Sequence, residues 1–356
     1  VSPLQRRRSH EAHKIIEVPL KSPKAFRLFL TVLFLFPFMA SCSRNSSVSL
    51  HKSSRLLLGT LVEVTIPGDA DTASSATQAV LDEMKRIEDL TSFHKQSGLT
   101  AINDAAGTGA VKADPELLDL ITAALGTSEQ TKGAFDPSVG VLSRLWSFSG
   151  GEPHLPDQSE IADALTKVGG NRIHIDRSAG TISLPVKGMA LDLGGIAKGY
   201  ALDRSAKVLK DRGITSALVN AGGDVLVMGE KEPGKPWRVG VQDPRNPREV
   251  MAVVAVKDRV IMTSGDYERF FIKDEKRYHH ILDPKTGYPA EGVQSVTLVA
   301  TGGMRAEPLG ATVFVKGVAE GLAYVQSLGD IEAMVVDGNG EVHMTPGAST
   351  LFQLKK

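Results

Sequence analysis

Gly188-Met189-Ala190-Leu191-Asp192-Leu193-Gly194-Gly195-Ile196-Ala197-Lys198-Gly199-Tyr200, followed about a helix length later by Leu218-Val219-Asn220-Ala221-Gly222-Gly223-Asp224, is the stretch around which the chain is organised. A buried-strand pattern ends in the carboxylate of Asp192, and a glycine pair lets the backbone bend tightly before a helix expected from near Ile196 to Gly213. That places N–H groups, a carboxylate and Lys198 on one turn. Helix N-terminal amides and the helix dipole both favour an anion there, so the turn suits a phosphorylated ligand. The same residues also describe a plain strand–turn–helix joint whose glycines only permit the bend.

Around this stretch the composition is that of an ordinary globular chain of 356 residues, 42% hydrophobic, with room for one large domain or two. With 41 basic and 41 acidic residues the formal net charge is zero, and nothing suggests attraction to nucleic acid as a property of the whole chain. Aromatic residues make up 5% of the chain against 35 glycines, which points to many turns and close backbone approaches.

Residues 21–41 read as a secretory signal: Lys21, Lys24 and Arg27, an apolar run from Leu28 to Phe38, then Met39-Ala40-Ser41 before Cys42. The run is short for a bilayer span. Small residues before a cysteine resemble a bacterial lipobox, and Cys42 is the single cysteine of the chain, so it is the expected lipid attachment point. Residues 1–20 precede the signal, and their Arg6-Arg7-Arg8 suggests that translation starts later than residue 1. Residues 42–54 are then the lipidated cysteine and a serine-rich, flexible tether, with the folded domain over 55–356.

Within the domain, Leu56 to Ile66 alternates as a strand, and Ala73 to Leu90 has helical spacing at Ala76, Val80, Met84 and Ile87. Ser97 to Asn103 reads as a short turn and Pro115 to Leu125 as a second helix. A surface loop at Gly150 to Asp157, a helix at Ile161 to Val168 and a hairpin over Arg172 to Leu184 follow. Trp237 to Val241, Met251 to Val256 and Val260 to Met262 are further strands. No long parallel βαβ series appears after residue 230, so the expected class is α+β, a single domain of largely antiparallel sheets packed by helices.

Two loops carry chemistry. Gly133-Ala134-Phe135-Asp136-Pro137 sets an aromatic beside a carboxylate, able to stack on a planar ring and bond its edge, or to form an Asp-Pro turn with Phe135 buried. In Arg277-Tyr278-His279-His280-Ile281-Leu282-Asp283-Pro284, His280 is the candidate for proton transfer, although paired histidines before Asp-Pro could also bind metal.

Taken together, Leu58-Gly59-Thr60, Ala134 to Pro137, Leu191 to Tyr200, Val219 to Asp224, Thr263-Ser264-Gly265-Asp266-Tyr267 and His280 to Gly287 occur in the order seen in the ApbE family, which the chain resembles over nearly its whole mature length. The resemblance implies an exported flavin transferase, often a lipoprotein of the bacterial cell envelope. Such enzymes use Mg2+ to cleave FAD and attach FMN through a phosphoester to a Thr or Ser of an exported redox protein, releasing AMP. It further implies that Leu58, Phe93, Ala134, Phe135, Asp136, Asp192, Lys198 and Leu282 line the FAD site, with His280 as the base for the acceptor hydroxyl.

By the same resemblance the metal is held by the backbone carbonyl of Gly195 and by an Asp and a Thr from a later helix. Here the sequence departs from the pattern: Glu307 stands in place of the Asp and Ala311 in place of the Thr, with Thr312 one residue on. Glu307 can ligate magnesium if its longer side chain folds back, and a water can replace the hydroxyl missing at Ala311. An FAD pyrophosphatase, or a lipoprotein that only binds FAD, would share most of these residues.

Overall fold

The computed structural model describes residues 49–146, 148 and 154–355. The signal segment 21–41 and Cys42 lie outside these residues.

The described chain opens with β1 (Leu50–Leu57) and β2 (Thr60–Pro67), then α1 (Ala70–Thr91), α2 (Gly98–Asp104), β3 (Ala110–Lys112), α3 (Pro115–Gln130), α4 (Gly140–Trp146) and α5 (Gln158–Leu165). There follow β4 (His174–Asp176), β5 (Thr181–Ser183), α6 (Ala197–Asp211), β6 (Ala217–Ala221), β7 (Asp224–Met228), β8 (Trp237–Gln242), β9 (Val250–Val256) and β10 (Arg259–Gly265). The last part holds β11 (Phe270–Lys273), β12 (Lys276–His279), β13 (Val293–Ala300), α7 (Gly303–Ser327), β14 (Glu332–Asp337), β15 (Val342–Met344), α8 (Ala348–Leu351) and β16 (Phe352–Leu354).

The centre is an eight-stranded sheet in the order β1-β2-β6-β7-β10-β13-β14-β15. Every neighbouring pair in it is antiparallel, as the α+β reading expects. Both faces are covered, and the alternation within β6 and β7 shows how. Ala217, Val219, Ala221, Leu226 and Met228 face α1, α6 and α7, whereas Leu218, Val225 and Val227 face a second sheet of β16-β9-β8. A strand buried on both sides reads as a continuous apolar run, because each face supplies its own core. A separate cluster joins α2, α3 and the small sheet β3-β5-β4 to the 189–197 segment, and another packs α4 and α5 beside the β11–β12 hairpin.

Several boundaries differ from the sequence reading. The first strand starts at Leu50, so residues 50–54 are hydrogen-bonded to β2 and do not belong to the tether. The single strand read over Leu56 to Ile66 is a hairpin, turning at Leu58 and Gly59 with φ of 53° and 72°, the pair of positive values that a tight two-residue turn requires. The turn read at Ser97 to Asn103 is the helix α2, started by a capping box between Ser97 and Thr100. The segment before Asp192 makes one parallel bridge, Val139 to Ala190, and is otherwise irregular, although Met189, Ala190 and Leu191 are fully buried as a strand would be.

The crossing of α6 and α7 fixes the site. A Cβ built on Gly199 would lie 2.2 Å from the carbonyl oxygen of Gly303, so the two backbones touch. One turn along each helix an acid reaches across. Asp203 of α6 accepts from the Gly303 and Met304 N–H groups at 2.7 and 2.9 Å, and Glu307 of α7 accepts from the Gly199 N–H at 2.7 Å. Each helix thus caps the start of the other, answering amides that have no partner within their own first turn. Gly199→Ala is expected to lower stability by ~1–3 kcal/mol through overpacking at this contact. Gly126→Ala, in the interior of α3 with open space at its Cβ, is expected to raise it by ~0.5–1 kcal/mol. Urea unfolding of the two variants checks both, and equal effects would show that the crossing is not tightly packed.

Candidate active site

Lys198 is the second residue of α6 and forms an ion pair with Asp224, the first residue of β7. Asp224 is 2% exposed, and its other oxygen accepts from the Thr263 N–H at 2.9 Å. Glu307 lies against the same turn through its bond to Gly199. Burial acts to lower the Lys198 pKa, but the charges of Asp224 and Glu307 outweigh it and hold the ammonium above its ordinary range. Burial, reinforced by the Asp224 charge and opposed by Lys198, pushes the Glu307 carboxyl up to about 8. One cation on the first turn of α6 therefore meets two carboxyl groups brought by β7 and α7, at a helix end where the dipole favours negative charge.

The two glycine turns that frame this cluster are locked by contact. Gly222, at φ 66°, sits where a Cβ would meet the Thr60 hydroxyl at 2.1 Å, which seats the tip of the β1–β2 hairpin and Leu58 beside the residues leading into Asp224. Gly195 lies against the Phe135 ring, with Cε2 at 3.0 Å from a built Cβ. The Asp192 N–H donates to the Pro137 carbonyl at 2.7 Å, so the Ala134 to Pro137 loop and the Asp192 to Gly195 turn move as one.

The remaining residues from the sequence reading sit around this core. Ala134 and Phe135 are buried. One Asp136 oxygen serves the loop itself, accepting from the Ser138 N–H and hydroxyl at 2.8 and 2.6 Å as an Asp-Pro turn does, and the other accepts from the Gly170 N–H at 3.0 Å, tying the loop to the segment after α5. Asp192 accepts from the Gly194 N–H at 2.8 Å. Phe93 packs beside the Phe135 cluster with the Arg144 guanidinium 5.0 Å over its ring. Leu282 belongs to the neighbouring cluster with Leu142 and Trp146. Ala311 packs against two of the clusters and offers no side-chain donor, while Thr312 is fully buried and donates to the Pro308 carbonyl at 2.9 Å. Thr312 therefore points away from any site on the Ala311 side, as the turn of about 100° between adjacent helical residues requires.

The two histidines have separate jobs. His279 is buried against Phe314, with Nε2 2.8 Å from the Ala290 carbonyl and Nδ1 accepting from the Ile281 N–H at 3.3 Å. His280 keeps a buried Nδ1 that has no hydrogen-bond partner among the described residues. Burial, then the positive charges of Arg269, His279 and Lys198, hold its pKa well below the usual histidine range. A ring kept neutral in this way is in the unprotonated form that a base must start from, with the buried Nδ1 left open.

Sequence reading missed Asp224 as a partner of Lys198, together with the Asp203 cap. It named the Val219 to Asp224 motif without giving the aspartate a role, and a buried cation at Lys198 is the signal that calls for a carboxylate. It also missed β13 and β14, although Val293 to Ala300 is rich in β-branched residues. A groove of about 490 Å3 between α1 and α6, lined by Gln78, Asp82, Glu83, Arg86 and Arg212 among others, contains none of the residues discussed above. A second acidic group, Asp337, Glu341 and His343, lies at the β14–β15 turn, where Asp337 accepts from the Asn339 and Glu341 N–H groups.

Comparison with known proteins places this geometry. The model of the ApbE family matches residues 58–335. The FAD:protein FMN transferase of Treponema pallidum is 32% identical over 327 residues, 87% of this chain and 90% of that protein. One from Klebsiella pneumoniae is 33% identical over 266 residues, 74% of this chain and 82% of the relative. Among solved structures, the ApbE protein of Thermotoga maritima superposes with a TM-score of 0.80 at 36% identity, covering 85% of this chain and 99% of the other. The flavin transferase ApbE from Vibrio cholerae gives 0.75 at 25% identity, with the same coverage.

The opposed shifts of His280 and Glu307 give the metal-free protein a stability optimum. A histidine with a lowered folded pKa contributes stability above its unfolded value near 6.5 and loses it as pH falls. A carboxyl raised to about 8 contributes fully below its unfolded value near 4.5 and is lost as pH rises through 8. Melting temperatures measured in EDTA are expected to be level between about pH 4.5 and 6.5, where the two contributions cancel, and to fall above about pH 6.5 as the Glu307 contribution is lost and below about pH 4.5 where that of His280 acts alone. His280→Gln should flatten the acid limb and Glu307→Gln the alkaline limb. Unchanged limbs in both variants would mean that neither group is desolvated as described.

Proposed function

The chain belongs to the ApbE family, and we propose that it transfers FMN from FAD to a Thr or Ser hydroxyl of an exported redox protein, using Mg2+ and releasing AMP. The observation that carries this reading is the cluster of Lys198, Asp224 and Glu307 at the start of α6, together with His280, whose buried Nδ1 has no partner among the described residues. FAD is a pyrophosphate, and its transfer needs charge neutralisation, an oriented hydroxyl and a base. Leu58, Phe93, Ala134, Phe135, Asp136, Asp192, Lys198 and Leu282 would line the FAD site, with the Asp136 carboxylate contributing through the loop shape it maintains. The acceptor oxygen forms its bond to the FMN phosphorus as the bond to the AMP phosphate breaks, and the hydroxyl proton passes to His280. Lys198 offsets the negative charge carried by the phosphates.

The donor set suits magnesium in part. Glu307 and, by the family resemblance, the Gly195 carbonyl would supply hard oxygens, Ala311 supplies none, and Thr312 is committed to Pro308. With phosphates and water providing the rest, two protein donors are enough for an ion that keeps several waters. When bound, the ion would neutralise charge building up on the phosphates. The folding back of Glu307 onto Gly199 gives its longer side chain a fixed position, which supports its use in place of an aspartate.

Incubation with FAD, Mg2+ and candidate acceptors tests the reading. AMP with a fluorescent, flavin-labelled acceptor is the expected result. AMP with free FMN alone would establish a pyrophosphatase, and a yellow protein that releases neither would establish an FAD-binding protein without chemistry. His280→Ala should lower transfer by roughly two to four orders of magnitude with FAD affinity little changed. In the same assay Ala311→Thr should lower the Mg2+ needed for half-maximal rate, Glu307→Ala should nearly abolish activity, and Thr312→Val should leave the Mg2+ requirement alone. A shifted requirement in Thr312→Val would overturn the assignment of ligands.

The signal pattern before Cys42 supports an address in the bacterial cell envelope, lipid-anchored and facing the periplasm, where an exported acceptor would be met. Cys42→Ala or globomycin should release the protein from membranes. Retained attachment without lipid label would rule out the anchor.

A further inference from the structure

Asp224 is the buried charge that the proposed chemistry leaves without a task. It is 2% exposed, and both of its oxygens are used inside the protein, one by the Lys198 ammonium and one by the Thr263 N–H. A carboxylate that is 2% exposed and hydrogen-bonded through both oxygens is engaged within the protein, which sets it apart from a group presented to a substrate. Its surroundings are rigid. Gly223 donates to the Asn220 side chain at 2.8 Å, Gly222 is pressed onto Thr60, and Val225 is in register with Ile261 of β10. Asp224 is therefore fixed by the central sheet, whereas Lys198 sits on a helix and carries a long side chain with many rotamers.

We propose that Asp224 is a positioning residue for the transfer: it holds the Lys198 ammonium, anchored to the sheet, at the place where the FAD phosphates bind. The inference rests on the transferase reading above. Asp224 touches neither FAD nor acceptor, and its whole effect on the rate passes through Lys198. Its short reach matters, since one oxygen is held by the Thr263 amide and the other meets the ammonium.

The test is a double-mutant cycle of Asp224→Asn with Lys198→Gln, reading AMP release and acceptor labelling, with FAD affinity from flavin fluorescence. Asp224→Asn keeps the size and the bond to Thr263 while removing the charge. It should lower kcat/KM for FAD by roughly 10- to 100-fold, the scale of a small misplacement of a phosphate-binding group. In the Lys198→Gln background the same change should cost less than about twofold, because nothing remains to be positioned. Lys198→Met serves as the second neutral variant. On its own it leaves Asp224 buried and unpaired, and adding Asp224→Asn to it should raise the melting temperature. A merely structural aspartate would instead cost the same factor in both backgrounds. That result, or full activity in Asp224→Asn, overturns the positioning role while leaving the transferase reading intact. A wild-type protein that releases no AMP from FAD takes both down together.

Discussion

Everything at the site depends on two helices that touch at Gly199 and Gly303. Only glycines let the backbones come so close, and the closeness lets Asp203 and Glu307 each reach the first amides of the opposite helix. The contact does two things at once. It joins α7 to α6 as part of the core over the large sheet, and it brings a buried carboxylate to the turn that carries Lys198. Burying a charge is costly unless it is paired and hydrogen-bonded, and here the cost is met by the arrangement that also assembles the chemistry. The raised pKa of Glu307 follows from this close approach, while Lys198 finds its own partner in Asp224 on the sheet.

The sheet supplies the rest of the geometry. Asp224 starts one of its strands and Thr263 lies in the next, so the carboxylate is held by backbone ladders. Leu58 is held at its hairpin tip in a left-handed conformation that few residues other than glycine adopt. Strain of this kind persists where the surroundings fix it, and here the Gly222 turn closes on the same tip.

The class of fold was legible because periodicity and glycine punctuation are local signals, and the helix from Ala197 to Asp211 falls almost where Ile196 and Gly213 bracket it. The pairing of Lys198 with Asp224 was not, since the two meet only when a strand returns beside a helix start. The extent of β1 was hidden by its serines, which suit an exposed edge strand as well as a tether. Asp136 illustrates the opposite limit. The residues allow both a turn and a ligand edge, and only the fold brings Gly170 to the oxygen that Ser138 leaves open. The divergence at Ala311 was visible in the sequence, but the direction taken by Thr312 follows from the helix alone.

The turns that meet at Lys198 come from the start, the middle and the end of the described chain: the hairpin tip at Leu58, the glycine turn before α6, and α7 with Glu307. Contacts between such distant segments form late, because the loops that separate them must close first. A chain still emerging during synthesis, and any fragment ending before residue 303, has Lys198 but not the second helix that buries and caps its turn. The turn that carries Lys198 is thus completed only once α7 has docked on α6.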